Sequence, residues 1–267
     1  MPGVVVFVGA GPGAADLITL RGARRLAQAD VVLFDALTDP ALRALAPQAR
    51  WVDVGKRGFG TSALVKDGPG SSAGRVSTEQ AAIDALLVRF ARQHSVVVRL
   101  KGGDPSVFGR LEEELQALGR AGIACEVVPG VTAALAAAAD TRRPLTRRGA
   151  GRSVSLSTAM TRDMHVQAGC HADTEVFYMA GKQLARLGRQ LLAAGWALET
   201  PVSVVSRAGW PDSLASSHTL PGLGEAALLH AGRPTTVTVG AGAAPVAGCA
   251  LQGTPQGALA TQALQAP

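Results

Sequence analysis

The fold is decided by one stretch of the chain, Val96-Val97-Val98-Arg99-Leu100-Lys101-Gly102-Gly103-Asp104-Pro105-Ser106-Val107-Phe108-Gly109-Arg110. Its three consecutive β-branched residues predict a strand that is buried on both faces, as in a parallel sheet. The two glycines allow a sharp turn and let a ligand approach the main chain closely. Pro105 fixes its own φ and keeps Asp104 out of helical geometry. Because ligands of open α/β sheets bind beyond the carboxyl ends of strands, this turn is a candidate binding loop, although it also suits an ordinary turn before a helix.

Further short apolar runs alternate with helical patterns along the whole chain, and this alternation predicts an α/β fold. In the first half the predicted strands are Val4–Val8, Val31–Phe34, Trp51–Val54 and Glu126–Val128, and each ends in a glycine, proline or polar loop. In the second half they are Val154–Ser157, Val176–Met179, Val202–Val205 and Val237–Val239.

The pattern divides the chain into two α/β domains. We expect an N-terminal domain over residues 1–129, a C-terminal domain over 130–245 and a disordered tail over 246–267, which is rich in Ala, Gly, Gln and Pro. Residues 60–74 show no periodicity and are predicted to form a mobile surface loop.

Composition narrows the class of partner and the compartment. The formal net charge is +6, but the arginines are scattered and not interleaved with aromatics, so nucleic acid is not the expected partner. Arginines also suit a substrate with several carboxylates. Cys125, Cys170 and Cys249 are widely spaced, which predicts no disulfide framework and a cytoplasmic setting. The apolar run Val4–Val8 is too short for a membrane span.

Two groups of polar residues are expected to have no special chemistry. Glu112 and Glu114 follow the candidate binding loop at the start of a helix, and we expect both on its solvated face. His165, Cys170 and His171 fit no common spacing of metal ligands and are expected to be loop residues, so no metal is predicted.

The first glycine turn has an alternative interpretation. Gly9, Gly11 and Ala14 after a strand, with Asp35 at the end of the next strand, match the fingerprint of dinucleotide-binding proteins. In those proteins the helix begins within the turn, so that its N-terminus faces the pyrophosphate. Here the helical periodicity begins several residues later, which weakens the interpretation of the chain as a dinucleotide-dependent oxidoreductase.

The ordered set of motifs resembles the tetrapyrrole methylases over roughly residues 4 to 240. The matching residues are Val8-Gly9-Ala10-Gly11-Pro12-Gly13, Asp30-Val31-Val32 with Asp35, Val54-Gly55-Lys56-Arg57, Val98 to Pro105, Phe108-Gly109-Arg110, Val127 to Ala134, Pro144-Leu145-Thr146 with Arg148, and Tyr178-Met179. The resemblance implies two α/β domains with an active-site cleft between them, usually in a homodimer. It also implies S-adenosylmethionine as methyl donor, with S-adenosylhomocysteine as product.

Positions that match the family's cofactor site are mostly small or glycine, since the family holds this cofactor largely by main-chain groups. They are Pro12, Gly102, Gly103, Asp104, Val107, Thr132, Ala133, Met179 and Ala208. Asp104 has the plainest chemistry, a carboxylate that can accept hydrogen bonds or face a cationic ligand. Met179 could instead fill a gap in the core.

The resemblance also implies the reaction. The sulfonium methyl is already activated, so the protein's work is alignment and removal of a proton from the alkylated macrocycle. By resemblance Asp35 is the candidate proton acceptor and Lys56 a candidate donor, while Arg110, Glu113 and Arg148 lie near the substrate. The expected reaction is methylation of uroporphyrinogen III at C2 and C7 to precorrin-2, which feeds siroheme, cobalamin or haem d1 synthesis. The alternatives are a methyltransferase for a later corrin precursor such as precorrin-4, a non-catalytic tetrapyrrole carrier and, more distantly, the oxidoreductase.

Overall fold

The computed structural model describes residues 2–55, 80–160 and 172–248. The chain divides into two compact units, Met1–Thr132 and Ala133–Pro267, and each unit contains one five-stranded sheet. Both units combine helices with strands, which confirms the predicted α/β class. The predicted surface loop at 60–74 lies outside the described residues, as does the predicted tail from residue 249 onward.

The first unit is built on a fully parallel sheet. Its strands are β1 (Val4–Gly9), β2 (Val31–Phe34), β3 (Arg50–Asp53), β4 (Val96–Lys101) and β5 (Cys125–Val128). Their order in the sheet is β3-β2-β4-β1-β5. Its α-helices are α1 (Leu20–Ala27), α2 (Gln80–Gln93) and α3 (Leu111–Arg120).

Both faces of this sheet are buried, as the apolar runs predict. Phe7 packs on one side with Leu87 of α2, whereas its neighbour Val8 packs on the other side with Leu26 of α1. Successive side chains of a strand point to opposite faces, so a strand covered on both sides has to be apolar throughout.

The strand order creates a topological switch point between β1 and β4. The chain leaves β1 toward β2 on one side of the pair, and it leaves β4 toward β5 on the other side. The helices that follow, α1 and α3, cover opposite faces. Ligands of open α/β sheets bind outside the carboxyl ends of strands at such a point. The Gly102–Pro105 loop follows β4 and therefore lies at the switch point.

The second unit has a mixed sheet. Its strands are β6 (Val154–Thr158), β7 (Thr174–Tyr178), β8 (Pro201–Ser206), β9 (Leu214–Thr219) and β10 (Thr235–Gly240), in the order β6-β7-β10-β8-β9. Only β6 and β7 pair in parallel. Its α-helices are α4 (Ala133–Thr141), α5 (Leu184–Ala193) and α6 (Leu223–Leu229). Strand β9 was not predicted, because an edge strand of sequence LASSHT has no apolar run.

A chain of polar side chains lies inside the second unit around His230, which is fully buried. Its Nδ1 lies 2.6 Å from Ser206 Oγ, and its Nε2 lies 2.8 Å from Ser216 Oγ. Ser216 Oγ in turn lies 2.7 Å from Nε2 of His218. Burial, together with the nearby His218 and Arg233, lowers the pKa of His230 below the ordinary value of 6.5. The folded state therefore favours the neutral imidazole.

We expect stability to fall on mild acidification for this reason. A lowered folded-state pKa means that the unfolded chain binds more protons than the folded chain once the pH falls below 6.5. The free energy of unfolding, measured by urea titration, should be lower at about pH 5.5 than at about pH 7.5. His230→Gln should reduce this pH dependence. If the variant retains the full pH dependence of the free energy of unfolding, other titratable groups cause it.

None of the helices in the described part of the chain is long and apolar enough to cross a membrane.

Candidate active site

The carboxyl ends of β1, β4 and β5 are packed backbone against backbone at three glycines. A Cβ added to Gly130 would lie 2.3 Å from the carbonyl oxygen of Gly103 and 2.8 Å from Cα of Gly9. Gly103 donates its N–H to the carbonyl of Gly11 at 2.7 Å, and Gly11 donates back to Gly103 at 3.3 Å. The φ of Gly103 is +73°, a value that favours glycine. Side chains are therefore excluded from this part of the sheet edge.

Asp104 connects the loops after β4 and β5 by hydrogen bonds at the same edge of the sheet. Its Oδ1 accepts the N–H of Ser106 at 2.7 Å, and its Oδ2 accepts the N–H of Gly130 at 2.9 Å. The first bond closes the turn around Pro105, and the second joins the loop after β4 to the loop after β5. Both carboxylate oxygens thus bind the protein's own backbone, so the structure gives Asp104 a role in loop geometry in addition to the expected ligand contact.

Gly130→Ala should disrupt this packing. A methyl group 2.3 Å from a backbone oxygen forces the loops apart, and such overpacking costs about 1–3 kcal/mol of unfolding free energy. We also expect a loss of affinity for the cofactor, because Gly103 would move with the loop. Gly119→Ala is the matched control, since a Cβ at this position of α3 meets nothing within 4 Å. Urea titration and calorimetric binding measure both effects, and a Gly130 variant as stable as the Gly119 variant would contradict the packing argument.

The expected cofactor residues of the first unit surround an open piece of backbone. Gly102 is exposed, and among the described residues a Cβ added to it would meet only Cβ of Leu37 within 4 Å, at 3.7 Å. No described residue makes a hydrogen bond to the backbone N–H or C=O of Gly102. Pro12, Val107 and Thr132 are half-buried nearby in the chain's loops at this sheet edge. Free main-chain donors and acceptors without a side chain in front of them fit a cofactor such as S-adenosylmethionine.

A buried cluster of charged side chains lies beneath the candidate site. Arg99 of β4 donates from Nη2 to Asp35 Oδ1 at 2.7 Å and from Nε to Glu114 Oε1 at 3.2 Å. Lys101 donates from Nζ to Glu114 Oε2 at 2.6 Å. Arg99, Lys101 and Glu114 are fully or almost fully buried, whereas 15% of the Asp35 side chain is exposed. Two positive and two negative groups therefore balance, with Asp35 at the accessible end.

The charges of this cluster shift one another's protonation. Burial lowers the pKa of Arg99, but the carboxylates of Asp35 and Glu114 outweigh burial and the net shift is upward. Burial and the neighbouring Arg99 lower the pKa of Lys101 to about 8, although Glu114 opposes this. Lys101 is thus still mostly charged at neutral pH, and the balance of charges holds there.

The expectation that Glu114 lies on a solvated helix face is wrong. Glu112 is exposed as expected, but Glu114 is two residues further along α3 and faces the sheet. In an α-helix, residues two apart point in different directions, so a run of identical charges cannot share one environment. The cations that neutralise Glu114 belong to β4 and are distant from it in sequence. The sequence did not identify Arg99 and Lys101 as functional candidates. Two charged residues in a strand predicted to be buried were a signal that could have identified them.

Arg110 and Glu113 bind each other at the start of α3. Arg110 donates from Nε to Glu113 Oε1 at 2.7 Å and from Nη2 to Oε2 at 2.5 Å. The hydrogen bond from Arg110 to this carboxylate is the main cause that raises the pKa of Arg110. Both side chains are about half exposed, and the backbone of Arg110 is left-handed, with φ of 54°. The pair is therefore held together and is accessible to a ligand.

The remaining expected residues of the reaction are less constrained. Arg148 is exposed, and no described residue forms an ion pair with it. Lys56 lies outside the described residues, so its expected role stays a prediction.

In the second unit, Met179 follows β7 with a left-handed backbone, φ 56°, and is 39% exposed, which speaks against a core gap-filler. Ala208 is buried and follows Arg207, which is also left-handed. Ala133 is the first residue of α4. Strained backbone outside glycine is concentrated at functional positions in proteins, and Met179 is one of the residues expected to bind the cofactor.

The structure weakens the dinucleotide interpretation further. Helix α1 begins at Leu20, nine residues after Gly11, and the short 3₁₀ turn Ala15–Leu17 lies between them. The glycine turn therefore does not present the N-terminus of α1. Within residues 2–55, 80–160 and 172–248, no three His, Cys, Asp or Glu side chains form a group that could hold a metal ion. His165, Cys170 and His171 lie outside those residues.

The chain is similar to known proteins over most of its length. Uroporphyrinogen-III C-methyltransferase from Pseudomonas aeruginosa is 44% identical over 212 residues, which cover 78% of this chain and 80% of that protein. The chain spans only about half the length of the siroheme synthase of Baumannia cicadellinicola, to which it is 42% identical over 245 residues covering 89% of this chain.

Solved structures are similar over most of their length. Uroporphyrin-III C-methyl transferase from Thermus thermophilus, complexed with S-adenyl homocysteine, has a TM-score of 0.74 at 34% identity, covering 89% of this chain and 97% of that chain. A cobalt precorrin-4 methyltransferase has a TM-score of 0.74 at 28% identity, covering 91% and 96%. A family model described as Tetrapyrrole (Corrin/Porphyrin) Methylases matches residues 4–223. Motifs, fold and comparisons agree over most of the sequence, and the chain belongs to the tetrapyrrole methylase family.

Proposed function

We propose that the chain transfers methyl groups from S-adenosylmethionine to C2 and C7 of uroporphyrinogen III and yields precorrin-2. The observation that carries the proposal is the 44% identity over 212 residues to the uroporphyrinogen-III C-methyltransferase of Pseudomonas aeruginosa. The open backbone at Gly102 and the accessible carboxylate of Asp35, both at the carboxyl edge of the first sheet, support it.

The cofactor would be held mainly by main-chain groups. In the first unit we assign this role to Pro12, Gly102, Gly103, Asp104, Val107 and Thr132, and in the second to Ala133, Met179 and Ala208. When bound, S-adenosylmethionine supplies an electrophilic methyl group on a positively charged sulfur. The protein's contribution is to align that methyl group with an electron-rich ring carbon, and alignment of this kind supplies a large part of the rate of a bimolecular reaction.

Asp35 would remove the proton that the macrocycle loses. The bond between ring carbon and methyl forms while the bond between methyl and sulfur breaks, and the sulfur keeps the electron pair. The methylated macrocycle then carries the positive charge and loses it as a proton. Oδ1 of Asp35 is held by Arg99, and no described residue donates to Oδ2. Oδ2 is therefore the atom that we assign as proton acceptor. Lys56 remains the candidate donor.

Arg110, Glu113 and Arg148 would contact the substrate. Uroporphyrinogen III carries acetate and propionate groups, and a guanidinium binds a carboxylate through two parallel hydrogen bonds. Glu113 holds Arg110 in position through Nε and Nη2, and we assign the exposed Arg148 to a second carboxylate.

A later corrin precursor is the second candidate substrate, and the similarity to cobalt precorrin-4 methyltransferase favours it. We would compare kcat/KM for uroporphyrinogen III with kcat/KM for a cobalt-containing later precursor, under anaerobic conditions. We expect uroporphyrinogen III to be preferred at least tenfold, about the discrimination that one or two pocket contacts provide. Preference for the later precursor would assign the enzyme to that step, and binding without turnover would indicate a carrier.

We also infer that the enzyme works as a homodimer in the cytoplasm and that its product is consumed by siroheme, cobalamin or haem d1 synthesis. The family resemblance supports the dimer, and the wide spacing of the three cysteines supports the compartment. Light scattering on the purified protein tests the dimer directly.

A further inference from the structure

The side chain of Arg99 is held by hydrogen bonds to other parts of the protein. It is 0% exposed, and each of its three guanidinium nitrogens is a hydrogen-bond donor. Nη2 donates to Asp35 and Nε to Glu114, while Nη1 donates to the carbonyls of Leu100 at 3.1 Å and Leu33 at 3.4 Å. A planar group that donates from each of its three nitrogens is held in one orientation.

The two carboxylates that accept hydrogen bonds from Arg99 are held differently. Glu114 is anchored from both sides, because Oε1 accepts from Arg99 and Oε2 accepts from Lys101. Asp35 accepts from Arg99 through Oδ1 alone, and it is the only one of the four side chains with more than a trace of exposure. Both oxygens of Glu114, at the deep end of the cluster, thus accept hydrogen bonds, whereas Oδ2 of Asp35, at the sheet edge, accepts none from any described residue.

Stability alone is a poor explanation for such a cluster. The free energy lost when charges leave water is about as large as the free energy gained from their mutual attraction, so apolar residues of similar volume often give a protein of equal or higher stability. The cluster does define the position of one charge at the carboxyl edge of the sheet, because Asp35 directly follows β2, the neighbour of β4.

We propose that Arg99, held in turn by Glu114, is a positioning residue that fixes the Asp35 carboxylate with Oδ2 directed to the substrate. The inference rests on the proposed function, in which Asp35 takes the proton. Arg99 touches neither substrate nor cofactor and acts only through Asp35.

The test is a double-mutant cycle with Arg99→Lys and Asp35→Asn. Lysine keeps the positive charge but cannot reproduce the separate bonds of the guanidinium to Asp35 and Glu114. The Asp35 carboxylate should therefore lose its fixed position. We expect Arg99→Lys to lower kcat by about 10–100-fold, the size of effect that a displacement of about 1 Å produces. KM for uroporphyrinogen III and affinity for S-adenosylmethionine should stay within about twofold. In the Asp35→Asn background the same change should lower kcat by less than about threefold.

Arg25→Lys is the matched control, because Arg25 also pairs with a carboxylate, that of Glu126 at 2.9 Å, but at the surface. Thermal unfolding of each variant shows whether a loss of kcat comes from a less stable fold or from a displaced Asp35 carboxylate. An equal loss in both backgrounds, or a loss of cofactor affinity in parallel with kcat, would overturn the inference and indicate a structural role.

The outcome also distinguishes the inference from the function on which it rests. A strong effect of Asp35→Asn with none of Arg99→Lys overturns the positioning role alone. Full activity of Asp35→Asn, or no turnover of uroporphyrinogen III by the unmodified protein, overturns the proposed proton acceptor or the proposed function, and the positioning role with it.

Discussion

Asp35→Asn is expected to lower kcat for uroporphyrinogen III by about 10²–10⁴-fold, the usual contribution of a positioned general base. Asparagine has nearly the same shape, and its amide oxygen can still accept the hydrogen bond from Arg99, so the local structure should persist. What the variant loses is the ability of Oδ2 to take a proton. Affinity for S-adenosylmethionine, measured by calorimetry, should change by less than about twofold, because Asp35 is not assigned to the cofactor.

Asp53→Asn is the control for this experiment. Asp53 ends β3, next to β2 in the same sheet, and its Oδ1 accepts the N–H of Gly55 at 2.7 Å. It is exposed and belongs to neither the cofactor residues nor the substrate residues. We expect its kcat to be unchanged. An Asp35 variant that also keeps wild-type kcat would exclude Asp35 as the proton acceptor.

Glu114→Gln should strongly destabilise the first unit. The change leaves Arg99 and Lys101 buried with only the carboxylate of Asp35 for compensation. Removing one partner of a buried ion pair costs about 3–5 kcal/mol, because a charge is then left in a medium that solvates it poorly. Urea titration should therefore show a much lower unfolding midpoint.

The matched variant is Glu112→Gln, two residues earlier on α3. Glu112 is exposed, and among the described residues its Oε1 accepts a hydrogen bond only from Gln116, at 3.2 Å. Surface substitutions of this kind usually change stability by less than about 0.5 kcal/mol. Equal effects of the two substitutions would mean that the buried cluster is not charged as described.

The local features of the first unit could be predicted from the sequence. Val97 and Val98 are buried because a run of β-branched residues suits a strand covered on both faces, and such a run is visible without any structure. The turn at Gly102 and Gly103 was also predictable, because the conformations available to glycine are a property of the residue itself.

The long-range features could not be predicted. Asp104 binds Gly130, which is 26 residues away, and Glu114 binds Lys101 on a different element. Such partners are chosen by the arrangement of helix and strands and not by neighbouring residues. The left-handed backbone of Met179 is likewise imposed by its surroundings, because nothing in its side chain favours positive φ.

The proposed methyl transfer is tested by incubating the purified protein anaerobically with S-adenosylmethionine and uroporphyrinogen III. The release of S-adenosylhomocysteine and the mass of the tetrapyrrole product are measured together. We expect two molecules of S-adenosylhomocysteine for each tetrapyrrole consumed and a product that carries two additional methyl groups. An unchanged tetrapyrrole, in a preparation shown by calorimetry to bind S-adenosylmethionine, would contradict the proposed activity.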